Sequence, residues 1–557
     1  MRKILLSVMA VLLAAGLLAP GAAAADPAQG AKPVAVLSLA GYDEMKADLD
    51  LVGKLAEDPG AVAKLEAFLN LVTNNKLLAG LDKKRPWGAV VQADADRISG
   101  YGFLPVSDLS QLLALVEPHV GKPKDLGNGV FEFQAKGKTV CYKEKDGWLL
   151  LAKKPEDLAT TADPKSLLGG LNEKYDLAVR LLMANVPPKH RERLLAEVKK
   201  HGEKHLNRWP HEGDQEHALR RKAAERMFQS LTKAVDELDQ VTLGWSLDHH
   251  ANKAFLELTA TARPGTKLAG QMAELAKVKT GFGGFRVADA AVTANWAGTC
   301  PLASPEDRAA GFQILREKLF QGIEGHQHAQ KHADVLKEVV GKVLDVAEQT
   351  AAAGHVDGGA AVILKPDAAT LLFGGYVADG AKLEDAVKQL AEAARKEKPE
   401  EVEKLLKLDA GQAHGVRFHT ITIPVPAGGK DRDKAVKVVG ESLQIVLGFG
   451  PKAVYLAAGK DAMKDLQQAI EQSEKTKSQT VPPVQVSVSL DRMARFAAAV
   501  GKEKDQAKAA KAAELLEKTP GKDHVTLVAT PIERGVTWRL EFEEGALKLM
   551  AMARKLK

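Results

Sequence analysis

Residues Asp239-Gln240-Val241-Thr242-Leu243 recur, little changed, as Asp523-His524-Val525-Thr526-Leu527. A chain that echoes itself must solve one folding problem twice, so an internal repeat constrains the architecture before any local propensity does. Each echo opens a strand pair: Val241–Leu247 with Lys253–Ala262, and Val525–Pro531 with Gly535–Phe542. Three more echoes keep the same order. Trp148–Leu158 matches Ala453–Met463, each an apolar strand, a basic turn and an acidic helix start. Gly88–Gln92 matches Ala360–Leu364, and each leads into a second strand (Ile98–Leu104; Thr370–Val377) and a helix (Ser107–Val116; Leu383–Ala394). Val34–Leu39 resembles Ala291–Trp296. The order of the matches, rather than any one of them, argues for duplication. Copy one is read as about residues 30–280 and copy two as about 285–557. Thr280-Gly281-Phe282-Gly283-Gly284 is the expected joint, because glycine-rich stretches mark turns and linkers.

Runs of Val, Thr, Leu and Tyr bounded by Gly, Asn and Asp read as strands. They come in adjacent pairs between helical segments, as where Leu177–Met183 precedes helices over His190–Leu238 and then Val241–Leu247. Val335, Leu336, Val339, Val340, Val343, Leu344 and Ala347 repeat at helical spacing across Ala333–Ala353, and Leu219, Ala223, Met227, Leu231 and Leu238 mark another helix. The expected class is α+β: two tandem related copies, each with a mostly antiparallel sheet and helices packed on one face. Only 5% of residues are aromatic, so the cores must rest on small aliphatic side chains. Gly428–Lys434 and Ser473–Gln479 read as solvated loops, being charged and without apolar periodicity. The basic, amphipathic end Lys548–Lys557 reads as a docked terminal helix.

The N-terminus has the three parts of a secretory signal: Arg2 and Lys3, the apolar run Ile4–Leu18 broken by Pro20-Gly21, and small residues Ala22–Ala25. The run is short for a membrane span. Residues 1–25 are therefore read as a signal peptide and the rest as exported, to the periplasm or the extracellular space. Cleavage removes two of 78 basic residues against 72 acidic ones. That near balance argues against nucleic acid as a partner. Export places Cys141 and Cys300 where a disulfide could form. They either pair or stay as buried thiols, since spacing does not fix connectivity.

Catalytic signatures are missing. Gly137-Lys138-Thr139 lacks the leading glycine of a phosphate loop and lies between strands Val130–Gln134 and Val140–Tyr142. Gly281-Phe282-Gly283-Gly284 has no strand–turn–helix frame for a dinucleotide. No Gly-x-Ser-x-Gly elbow or His-Glu-x-x-His occurs. Two histidine groups remain: His190, His201, His205, His211 and His217, and His326, His328 and His332. His201 and His205, like His328 and His332, are four apart and would share a helix face. The candidate metal ligands are thus His326, His328, His332, His201 and His205, for Zn or Cu. The competing reading makes them half-buried fillers, since neither pair has a carboxylate or Cys partner in sequence. His249-His250 reads as a hairpin turn. Tyr101 and Tyr376 read as packing residues at comparable places in the two copies.

Through segments such as Ala457-Ala458-Gly459-Lys460-Asp461, a turn closing a strand–helix unit, the chain resembles uncharacterised bacterial exported proteins with duplicated α+β units. That resemblance implies no activity and no site residues. The sequence points to an exported, non-catalytic binding or scaffold protein rather than an enzyme. Its ligand would be a small apolar molecule held between helices and sheet, or another protein. The alternative is a metal-binding protein using the histidine clusters.

Overall fold

A computed structural model describes residues 30–552, apart from 73–77, 136–137, 160, 204–205, 211, 300–303, 327–329 and 429–431. The class is α+β with a large antiparallel sheet. The described residues form two compact units: those within Met1–Lys204, Leu231–Gly270 and Glu533–Met552 make the first, and those within His205–Ser230 and Gln271–Ile532 the second. Among the described residues no helix is long and apolar enough to cross a membrane.

In the first unit the strands are β1 (Lys32–Leu39), β2 (Trp87–Ala93), β3 (Ile98–Pro105), β4 (Lys124–Gly127), β5 (Val130–Ala135), β6 (Lys138–Lys145), β7 (Trp148–Ala152), β8 (Leu177–Leu182), β9 (Leu238–Asp248) and β10 (Lys253–Ala262). The second unit has β11 (Val292–Thr299), β12 (His355–Lys365), β13 (Ala368–Tyr376), β14 (Leu406–Ala413), β15 (Val416–Pro424), β16 (Ser442–Gly450), β17 (Ala453–Gly459), β18 (Val484–Ser489) and β19 (His524–Ile532). The last strand, β20 (Gly535–Phe542), returns to the first unit. Every pairing within a unit is antiparallel. In the first unit the strand order is β4-β5-β6-β7-β3-β2-β1-β8-β9-β10-β20. In the second unit it is β14-β15-β16-β17-β13-β12-β11-β18-β19. Read outward from β1 and from β11, the succession is the same as far as β4 and β14 on one side and β9 and β19 on the other; β10 and β20 have no counterpart in the second unit.

Helices do not keep to one face. Successive strand residues point to opposite sides, and β7 uses both. Trp148, Leu150 and Ala152 join a core with Tyr101, Phe103, Leu158 and Leu168. Leu149 and Leu151 join another with Leu109, Leu112 and Leu113 of the helix Leu109–Val120. β15 does the same. Phe418 enters the main core of the second unit beside Leu466 and Ile470 of the helix Ala462–Thr476, while His419 turns to Glu384 of the helix Gly380–Glu397. A near-continuous apolar strand with both faces covered is the physical reason, and β7 has that composition.

Three local expectations change. The glycine-rich segment at 280–284 is core rather than a free joint: Phe282 and Phe285 are buried beneath Tyr455, and Asp357 accepts from Thr280 Oγ1 at 2.6 Å and Gly281 N–H at 2.8 Å. Ser473–Thr476 is helical, not loop. Ser473 is buried, its hydroxyl donating to Ala469 O at 2.8 Å and accepting the Gly284 N–H at 2.9 Å. Tyr101 and Tyr376 are not counterparts. Tyr101 pairs with Ala152, whereas the residue opposite Ala457 is Leu372, and Tyr376 lies opposite Ala453. Cys141 is a buried free thiol, and Cys300 lies outside the described residues. Glu544–Met552 is a docked helix, with Leu547 in a core beside Leu51, Leu55 and Leu247.

Candidate ligand-binding face

Five neighbouring strands of the first unit place apolar residues opposite one another in three rows. Ala35, Leu181, Val241, Ala260 and Val536 form one row. Leu37, Val179, Leu243, Leu258 and Trp538 form the next, and Leu39, Leu177, Trp245, Leu256 and Leu540 the third. Period-2 alternation puts all fifteen on one face. A core face would be closed, yet Leu177, Val179, Leu181, Leu243, Leu256 and Leu258 are each 36–46% exposed. Scattered exposed leucines need no explanation, but a register-matched patch does.

The reverse face is the buried one, and it carries charge. Glu257, between Leu256 and Leu258, is 1% exposed. Tyr175 Oη donates to its Oε1 at 2.5 Å, Lys174 Nζ reaches the same oxygen, and Arg539 Nε donates to Oε2 at 2.9 Å. Burial works to raise the Glu257 pKa, but these three donors overcome it and hold the carboxyl below its ordinary value. Val36, Leu171, Tyr175 and Ala178 pack beside it. The backbone of β9 comes so close that a Cβ on Gly244 would lie 2.3 Å from the Tyr175 ring. The strands therefore present leucines outward and a satisfied ion network inward.

One end of the apolar face is roofed. The next row, Leu247, Ala254 and Phe542, is covered by Leu51 and Leu55 of the helix Tyr42–Leu55 and by Leu547. Glu44, Asp48, Leu51 and Leu55 follow one stripe of that helix. Its polar half meets the β9–β10 turn. His249 Nδ1 lies 3.2 Å from Glu44 Oε1 and 3.8 Å from Asp48 Oδ1. Burial, with Asp176 and then Glu44 nearby, pushes Asp48 up to about 7. Asp176 is also raised, chiefly by burial, although its Oδ2 accepts the Leu247 N–H at 2.5 Å.

The second unit holds another His–carboxylate group: Glu384, Asp409 and His419. Glu384 and His419 are buried, and Glu384 takes Arg417 Nε at 2.8 Å and Lys388 Nζ at 2.8 Å. His419 Nδ1 accepts the Asp409 N–H at 2.9 Å. Its proton must then sit on Nε2, 3.4 Å from Glu384 Oε1. A protonated nitrogen has no lone pair for a metal, and two cations already serve the glutamate. Burial lowers the His419 pKa. This is a structural ion network.

The histidines singled out by spacing do not assemble into such a group among the described residues. His201 is exposed near the end of the helix Pro188–Glu203. His326 follows the helix Pro305–Gly325, and His332 precedes Ala333–Ala353. His332 Nε2 is 2.7 Å from Glu397 Oε1, a contact with one carboxylate rather than a shared metal face. His332 stands at the helix cap instead of on its stripe, and Val343 of that stripe is exposed. His205 and His328 lie outside the described residues. Spacing along one element could not reveal Glu44, Asp48 and His249. The two acids were legible as an i, i+4 pair, but their partner stands some 200 residues away. No family model matches the sequence, and neither a curated protein nor a solved structure is significantly similar to it.

Proposed function

We propose that the chain is an exported, non-catalytic binding protein that holds an apolar ligand on the open sheet face of β1, β8, β9, β10 and β20. The observation that carries this reading is the three-row apolar patch with the buried, fully hydrogen-bonded Glu257 behind it. Closing the remaining exposure of its six most open side chains is worth roughly 4–7 kcal/mol before entropic costs. A flat, aliphatic surface suits an acyl chain or similar hydrocarbon. The signal-like segment Arg2–Ala25 supports export, and the absence of any catalytic motif supports binding without turnover. The strand succession shared from β9 to β4 and from β19 to β14, together with the ordered sequence echoes, supports duplication, with copies at about 30–280 and 285–557.

The test uses secreted, signal-free protein. Organic extraction followed by mass spectrometry should recover lipid. Delipidated protein should bind a fluorescent fatty acid, and the double variant Leu243→Asp/Leu258→Asp should lose at least tenfold in affinity. Protein free of lipid, with no probe binding and a dimer that the same variant dissociates, would replace the ligand by a second chain.

A further inference from the structure

We propose that Glu44, Asp48 and His249 bind a divalent transition-metal ion of the zinc class, joining the helix Tyr42–Leu55 to the β9–β10 turn. Zinc bound at about 2.0–2.1 Å by nitrogen and oxygen ligands needs donor atoms roughly 3.3 Å apart. The Nδ1 separations of 3.2 and 3.8 Å to the two carboxylates bracket that edge, and all three donor atoms lie within 4.8 Å of one another. The group thus needs little rearrangement to close on an ion.

A second observation is independent of this spacing. Asp48 Oδ1 and His249 Nδ1 are shut off from solvent and make no hydrogen bond. Buried polar atoms normally find a partner, and leaving two facing each other is costly. A cation would satisfy both. No lysine or arginine pairs with Glu44 or Asp48 among the described residues, whereas Glu384 of the second unit has two cationic partners. Asp176, another carboxylate near Asp48, adds negative potential. The imidazole nitrogen argues for zinc, copper or nickel over calcium, which prefers oxygen throughout. Three protein donors leave a fourth position for water.

The experiment is calorimetry with Zn²⁺ on the chelator-treated, signal-free full chain at pH 7.5. The expected result is one ion per chain. His249→Ala and Asp48→Asn should each weaken binding tenfold or more. A variant with alanine at His201, His205, His326, His328 and His332 should bind as before. Replacement with Co²⁺ should give the visible absorption of a tetrahedral site and lose it in Asp48→Asn. Should His249→Ala fail to fold, the nearly isosteric Asp48→Asn decides alone. No binding, binding unchanged by Asp48→Asn, or binding lost only in the five-histidine variant would overturn the assignment. None of these outcomes depends on the apolar ligand, which is read by lipid extraction and probe binding.

Discussion

Asp48 is a carboxylate that burial and two neighbouring acids hold well above its ordinary range. Its ordinary value is 3.8, and in the folded chain it rises to about 7. The folded state therefore holds the proton more tightly than the unfolded state. That preference stabilises the fold in full below about pH 4, fades as pH rises, and is gone above about 7. At higher pH the ionised group faces Glu44 and Asp176, with His249 on the opposing turn. Asp48→Asn keeps the shape and removes the charge. In metal-free protein it should raise the melting temperature at pH 8 and leave it nearly unchanged at pH 3.5, which thermal melts at the two pH values would check.

Cys141 gives a second test at this scale. It is fully buried on β6, and burial, with Glu132, Glu156 and Asp157 nearby, pushes its thiol up to about 11. The reactive species is the thiolate, so very little is present at pH 8 and none of it is reachable. Peptide mapping after brief alkylation should find Cys141 unmodified in native protein and fully modified in guanidinium. Labelling in the native state would mean that the core around Phe103 and Leu150 opens far more readily than its packing suggests.

At the scale of elements, the inversion of β10 depends on what closes the reverse face. Gly244 lets the Tyr175 ring lie on β9, and Tyr175 in turn donates to Glu257. Gly244→Ala forces a methyl into that ring. The expected loss is about 1–3 kcal/mol, the usual cost of overpacking, read from urea midpoints. Strand positions were legible because apolar alternation and Gly, Asn and Asp boundaries are local signals. The antiparallel class followed from strands lying in adjacent pairs. Which face is inside was not legible. By hydropathy Leu256 and Leu258 belong inside and Glu257 outside, and the opposite holds because Tyr175 and Arg539, 82 and 282 residues away, satisfy the glutamate. The same distance problem hid His249 from Asp48. Ser473 misleads for a related reason: a buried hydroxyl that bonds Ala469 and Gly284 looks like loop polarity in sequence.

At the scale of the whole molecule, the chain end is a structural part of the first unit. β20 pairs with β10 from Ala254↔Phe542 to Thr261↔Gly535, and the helix Glu544–Met552 that follows supplies Leu547 to the core over Leu247. Truncation after Ile532 would remove both. β10 would become an open edge with unpaired backbone groups, and such edges invite association. Leu51 and Leu55 would lose part of their partner surface, so the Tyr42–Leu55 helix should loosen as well. The second unit keeps all nine of its strands, β11–β19, in that truncated chain. Hydrogen exchange should therefore show lost protection in β9, β10 and Tyr42–Leu55, with β15–β17 unchanged, and sedimentation should show self-association. Unchanged exchange in β10 would mean that β20 is a passive cover and that the first unit is complete without it.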